Sequence, residues 1–326
     1  RPAAVDADEE EKGSQFGLVG RGFRASFALV SAPLPARFRL PPGRSAAMLS
    51  GMALGGLHDL EKIAPTAEFT AAVWAELGLE NAEHFVTPRG ARLLRAYSRA
   101  AEPLLRRVGD GPSLVEYLEY RHRAIDQELE AIGPDRILEC AAGLSRRGLT
   151  FAKRGVPVLE LDLPHMVEAK RRRLAELDVP THLRVEACDL LTDEFEAKAR
   201  AFFAGAERPA IVAEGFMSYL PLGVRGSFIG RVADALRPTG GAFVGDFRLA
   251  PQSVRARAVQ LGFRLLNRAV TSGRGLREDF PSLAMLATYL EASGFDRIEP
   301  VAPRDVVGER GELPHPGLVL AAFVDR

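Results

Sequence analysis

The chain has no surplus of either charge: 43 Lys+Arg face 43 Asp+Glu in 326 residues. A dedicated nucleic-acid binder needs a basic excess on its contact face, so this balance argues against that class. Cysteine is scarce as well. Cys140 and Cys188 are too few for a disulfide scaffold or a Cys-rich zinc site, and no other metal set is expected. They read as small core residues. No apolar run approaches the roughly 20 residues that a membrane helix needs, so no membrane partner is expected. Internal repeats are missing too. What is present, 47% hydrophobic and 26% charged residues, is the balance of a soluble globular protein, with the cytoplasm as the expected location.

Residues 1–47 differ from the rest. An acidic run from Asp6 to Lys12 gives way to Gly-, Arg- and Pro-rich text ending at Pro41-Pro42-Gly43-Arg44. This predicts a disordered tail without the features of a secretory signal. Met48 and Met52 stand where patterned sequence begins, and one of them is the expected native start. Residues 48–134 read as a helical N-terminal cap. Phe69, Val73, Trp74 and Leu77 recur at helical steps after Pro65-Thr66, and a second helix runs from about Arg89 to Leu104. A third carries Leu114, Leu118, Ile125 and Leu129 up to Gly133-Pro134.

From 135 to 326 short apolar strands alternate with helices. Strands are expected at 136–141, 156–161, 182–187, 210–213 and 240–247, with a final pair at 297–301 and 318–324 forming an antiparallel edge. Helix-length crossovers require a mostly parallel, seven-stranded α/β sheet covered on both faces. Ligands of such sheets sit beyond the carboxyl ends of the strands, so the chemistry is sought there.

Four strand ends carry suggestive residues. Small residues Ala141-Ala142-Gly143 follow the first strand, and Gly143 can take a positive φ. A dinucleotide fingerprint is absent, because its third glycine would fall on Arg146. That disfavours a nicotinamide oxidoreductase. Asp162, ending the second strand, suits a ribose hydroxyl or, alternatively, the N-terminus of the helix begun by Pro164. Asp189-Leu190 after the third strand suits an adenine edge or a helix cap. Glu214-Gly215 after the fourth, followed by Phe216 and Tyr219, suits a pocket floor under a thioether or amine. Together these fit S-adenosylmethionine better than NAD.

These residues carry a family resemblance. Tyr120-Arg121-His122-Arg123-Ala124-Ile125-Asp126, Ala142-Gly143-Leu144-Ser145-Arg146-Arg147, Leu159-Glu160-Leu161-Asp162-Leu163-Pro164 with Lys170, Cys188-Asp189-Leu190, Glu214-Gly215 with Tyr219-Leu220, and Gly245-Asp246-Phe247 resemble the leucine carboxyl methyltransferase superfamily. That group includes the tetracenomycin-type polyketide carboxyl methyltransferases. The resemblance implies a class I (Rossmann-like) methyltransferase fold with an N-terminal helical extension, and S-adenosylmethionine as cofactor. It implies that Arg121 grips the methionine carboxylate with Arg123 in support, and that Gly143 approaches the methionine part. Asp162 then binds the ribose, Asp189 and Leu190 frame the adenine, and Glu214 meets the methionine amine. The family turn reads Gly-Ala-Gly-Leu-Asp-Thr-Arg, whereas this chain places Ala141, Ser145 and Arg146 at the first Gly, the Asp and the Thr. Ser145 and Arg147 are therefore left out of the cofactor set.

The expected activity is O-methylation of a carboxylate, or a hydroxyl, on a small polyketide-like acceptor. A binding or regulatory protein without catalysis, and a protein C-terminal carboxyl methyltransferase, remain as alternatives. A carboxylate is already ionised at pH 7, so transfer to it rests on orientation and needs no base. No Ser-His-Asp arrangement stands out, and no catalytic residue is assigned, although Phe216 and Tyr219 could exclude water. For a hydroxyl acceptor His122 and His315 are the candidate bases, the alternatives being that His122 only orients the arginine helix and that His315 is a turn residue between the last strands. The segment from Pro251 to Val270 is either a packed amphipathic helix or a lid offering Arg255, Arg257 or Arg264 to an anion. Arg171-Arg172-Arg173 reads as solvated surface.

Overall fold

The computed structural model describes residues 64–108, 114–251, 257, 261, 264–265, 279–301 and 317–326. The tail at 1–47, the native start at Met48 or Met52, Arg255 and His315 lie outside the described residues. Helix α1 (Ala64–Glu76) buries Ala71, Val73 and Trp74. Helix α2 (Pro88–Ala96) starts with Pro88 in its first turn, and Thr87 Oγ1 accepts the Gly90 N–H at 2.9 Å. A Cβ at Gly90 would lie 2.2 Å from the Glu68 carbonyl oxygen, so glycine lets α1 and α2 cross closely. A π-helical turn (Tyr97–Ala101) leads into α3 (Glu102–Val108). The single helix expected from Arg89 to Leu104 is thus interrupted by a wider turn, and Leu104 is exposed. Helix α4 (Leu114–Ile132) ends at Gly133, whose φ of +59° stops it.

The sheet then assembles as β1 (Arg136–Cys140), β2 (Val158–Asp162), β3 (Leu183–Ala187), β4 (Pro209–Ala213), β5 (Gly241–Arg248), β6 (Arg297–Val301) and β7 (Gly317–Val324). Its spatial order is β3-β2-β1-β4-β5-β7-β6. The first five strands are parallel, while β7 runs antiparallel to both β5 and β6. The final pair is therefore antiparallel as expected, but β7 lies inside the sheet and β6 alone of the two forms an edge, with β3 at the other.

Between the strands come α5 (Arg147–Lys153), α6 (Pro164–Leu174), α7 (Asp193–Phe203), α8 (Leu222–Leu236) and α9 (Leu283–Ala292). The last was not expected from sequence: nearly every position of Leu283–Leu290 is apolar, so no amphipathic period marks it. Ser282 Oγ caps it by accepting the Met285 N–H. One face of the sheet packs on α7, α8 and α9 through Phe195, Phe228, Ile229, Phe243 and Tyr289. The other packs Ile137, Val158, Val244 and Val319 against α1, α4, α5 and α6. The helical front end shares that second core. Tyr120 fixes α4 to the sheet, donating its hydroxyl to Val301 O at 3.0 Å and accepting the Val319 N–H. Among the described residues, no helix is long and apolar enough to cross a membrane.

Candidate active site

The site begins with turns at the carboxyl ends of β1, β2 and β4. Gly143 and Gly215 adopt φ of +54° and +68°, a region in which glycine carries no steric penalty. Ala141 adopts +51° with a side chain. Asp162 sits opposite the first turn, where its Oδ2 accepts the Gly143 N–H at 2.6 Å and its Oδ1 accepts its neighbour Leu163 N–H at 2.7 Å. Burial pushes the Asp162 carboxyl above the ordinary range, opposed by those two N–H donors. Asp189 Oδ1 accepts the Leu191 N–H at 3.0 Å, so this residue shapes its own turn while facing the same space.

That space is a cavity of about 460 Å³. Its wall includes all six residues expected to bind cofactor: Arg121, Gly143, Asp162, Asp189, Leu190 and Glu214. Phe216 and Tyr219 line it as well, with Phe216 held edge-on against Phe228. Arg123 instead pairs with Glu119 at the surface and stays out of the wall. The helical front end supplies Phe69, Trp74, Leu93, Tyr97 and Tyr117, so one cavity spans the strand ends and the helices above them.

Behind the wall lies a buried ion network. Arg147, with no exposed side-chain surface, donates Nε to Asp126 on α4 (2.7 Å), Nη1 to Glu139 on β1 (2.6 Å) and Nη2 to Glu214 after β4 (2.8 Å). Glu214 also accepts from Arg121 Nε at 2.9 Å and His122 Nδ1 at 2.8 Å. His122 Nε2 accepts from Arg146 Nε, which assigns Nδ1 as the donor toward Glu214. Arg146 also pairs with Asp126. Burial would raise the Glu214 carboxyl, but the His122 hydrogen bond and the Arg121 and Arg147 charges overcome it and hold the group well below the usual carboxylate range. Asp126 is lowered by the same competition.

Arg147 and Ser145 are thus structural: Ser145 Oγ accepts the Arg147 backbone N–H, and neither lines the cavity. His122 is fully buried behind the Trp74 ring, 4.2 Å between centroids, and is likewise outside the wall. Glu160 pairs with Lys170 at 2.5 Å below the turn, and a Cβ at Gly148 would collide with that carboxylate. Cys140 and Cys188 are buried as expected, and burial pushes the Cys188 thiol up to about 12. Arg171 is exposed yet reaches Val185 O at 2.6 Å.

Residues 80–232 match the leucine carboxyl methyltransferase family. A Mycobacterium bovis protein named "Putative S-adenosyl-L-methionine-dependent methyltransferase" is 32% identical over 167 residues, covering 49% of this chain and 52% of the relative. A like-named Mycobacterium marinum protein is 31% identical over 166 residues, covering 43% and 55%. The chain spans about half the length of these curated relatives. Among solved structures, a "putative methyltransferase" from Thermobifida fusca superposes with a TM-score of 0.53 at 16% identity, covering 80% of this chain and 94% of that one. The fold is that of the class I, Rossmann-like methyltransferases.

Sequence reasoning passed over several wall residues. Asp246 was noted in the Gly245-Asp246-Phe247 motif without a role. In the structure its Oδ1 accepts the Gly215 N–H at 2.5 Å, and its Oδ2 takes the Tyr117 hydroxyl at 3.3 Å. Trp74 was read only as an apolar helix position, yet it lines the cavity and its buried Nε1 has no hydrogen-bond partner among the described residues. Arg248 was not considered. Its position at the carboxyl end of β5, where ligands of such sheets bind, was the available signal.

Proposed function

We propose that this protein is an S-adenosylmethionine-dependent O-methyltransferase that acts on a carboxylate of a small, largely apolar acceptor. The observation carrying the reading is that Arg121, Gly143, Asp162, Asp189, Leu190 and Glu214 all line one cavity at the strand ends of a class I methyltransferase fold. The cradle fits the cofactor. Two positive-φ glycines bring backbone close to the cavity, and Trp74 Nε1 is a buried donor awaiting an acceptor. When bound, S-adenosylmethionine supplies a methyl group on a positively charged sulfur.

The chain's own residues then bind and orient. Each Asp162 oxygen accepts one backbone N–H and keeps a lone pair for a ribose hydroxyl. Asp189 and Leu190 flank the adenine, and Gly143 lies along the methionine part. Arg121, fixed by Glu214 and 3.7 Å from Asp246, holds the methionine carboxylate. Glu214 orients that arginine and presents negative charge to the amine. Phe216 and Tyr219 exclude water from the reacting end. A carboxylate acceptor needs no base. The buried His122, fully engaged with Glu214 and Arg146, is not placed to serve a hydroxyl acceptor.

Calorimetric titration of the full chain with S-adenosylmethionine, S-adenosylhomocysteine and NAD tests this. Binding of the first two but not NAD, lost in Asp162→Ala, is the expected result. Labelled methyl should then appear on apolar carboxylic acids as a base-labile ester. A folded protein that ignores both sulfur nucleosides would defeat the reading.

A further inference from the structure

Strand β5 ends in Gly245-Asp246-Phe247-Arg248. Side chains alternate along a strand: Phe243 and Phe247 pack in the core beneath α8 and α9, while Val244 packs in the core with α4. Asp246 and Arg248 share the Val244 side, and both reach the cavity wall. Just beyond β5, the chain forms a short parallel ladder. Phe280 N donates to Arg248 O at 2.8 Å and Ala250 N to Phe280 O at 2.7 Å. This ladder sets Asp279 beside Arg248, whose Nε donates to Asp279 Oδ1 at 2.9 Å.

The cation is only half answered. Asp279 also accepts Arg264 Nη2 at 2.9 Å, so one buried carboxylate serves two guanidiniums. The Arg248 side chain is 8% exposed, and its Nη2 is buried with no hydrogen-bond partner among the described residues. An unpaired guanidinium donor in a low-dielectric site carries a desolvation penalty that an anionic ligand removes. The cavity that it borders is also lined by Phe69, Leu93, Tyr97, Leu114 and Phe216, with Tyr117 and Asp246 on the Arg248 side.

We propose that Arg248, held by Asp279, anchors the carboxylate of the methyl acceptor, whose apolar body lies against the helical front end. This rests on the methyltransferase reading and names the residue that holds its anionic substrate. In the transfer, one carboxylate oxygen bonds to the methyl carbon. The electron pair of the broken carbon–sulfur bond stays on sulfur, so anion and sulfonium become neutral ester and neutral thioether. The ester has lost the charge that Arg248 holds, which favours product release.

The test titrates the full chain with 1-naphthoate and decanoate, and with their uncharged amides, in the presence and absence of S-adenosylhomocysteine. At least one carboxylate should bind about tenfold or more tightly than its amide, the scale of a charge-assisted pair. Arg248→Gln should erase that preference and leave S-adenosylhomocysteine affinity unchanged, while Arg248→Lys keeps part of it. The proposal is overturned if neither carboxylate outbinds its amide, or if the preference survives in a folded Arg248→Gln. The wild-type comparison decides alone should that variant not fold. Failure of S-adenosylhomocysteine to bind sinks the methyltransferase reading, whereas carboxylate preference without it still supports the anchor.

Discussion

Two charged regions border the same cavity, and they are built on opposite rules. In the network behind Arg121 and Glu214, three arginines, His122 and the carboxylates of Asp126, Glu139 and Glu214 answer one another from α4, β1, α5 and the turn after β4. Elsewhere in the cavity wall, Arg248 shares the Asp279 carboxylate with Arg264 and, among the described residues, leaves a donor unmet. A closed network stabilises geometry, since each charge is compensated inside the protein. An open one stores an unmet interaction that a ligand can satisfy. The contrast teaches where to look for binding: unmet donors rather than dense charge.

The largest expected effect comes from opening the closed region. Glu214→Ala leaves Arg121, Arg147 and His122 without their common acceptor. Removing one partner of a buried ion pair costs about 3–5 kcal/mol, so this variant should lose that much in urea unfolding. A loss under 1 kcal/mol would show that the network relaxes around the gap and is not closed at all.

Asp126→Asn probes the same region through pH. The folded-state pKa of Asp126 is lowered, so its ionised form contributes stability that is complete above the ordinary carboxylate range. That contribution is lost as pH falls through the folded value. Wild type should therefore exceed the variant by about 1.5–3 kcal/mol at pH 7, the scale of a charged hydrogen bond. The gap should narrow steadily below about pH 4. A gap independent of pH would mean that Asp126 acts by shape, not charge.

Asp162→Ala should behave in the opposite way, because Asp162 lines the cavity and is proposed to meet the ribose. Burial already penalises its charge, so its loss should change unfolding by only about 1 kcal/mol. S-adenosylhomocysteine affinity should nonetheless drop about tenfold or more by calorimetry. Equal losses in stability and affinity would place Asp162 with the closed network and blur the comparison.

The sheet was legible because its strands are short apolar runs or, as in β3 and β6, short alternating ones, and alternation with helices forces parallel crossovers. Five of the six cavity-lining residues proposed for the cofactor were legible because the strand-end rule and the motif spacing coincide on them, while Arg121 on α4 was carried by the motif alone. Neither signal reaches the closed network: Arg147 looks like any helix arginine until three carboxylates from distant segments converge on it. Arg248 was missed for a related reason. Its meaning lies in an unmet donor, and that depends on Asp279 being delivered 31 residues later by a backbone ladder. The position of β7 was also hidden, since strand pattern gives existence but not order.

The smallest effect concerns the turn where this chain departs from the family pattern. Ala141 stands where that pattern has glycine, and its φ of +51° is left-handed. An L-residue there costs about 1–2 kcal/mol, while glycine loses back about 0.5–1 kcal/mol in chain entropy. Ala141→Gly should therefore stabilise the protein by about 0.5–1 kcal/mol in urea unfolding. Gly143→Ala, two residues on at φ +54° with its Cβ 3.3 Å from the Ala67 methyl, should move stability the other way. If the first variant loses stability, the alanine methyl contributes packing that outweighs its backbone strain. The turn would then be adapted to alanine, and the departure would mark a reshaped cradle instead of a tolerated cost.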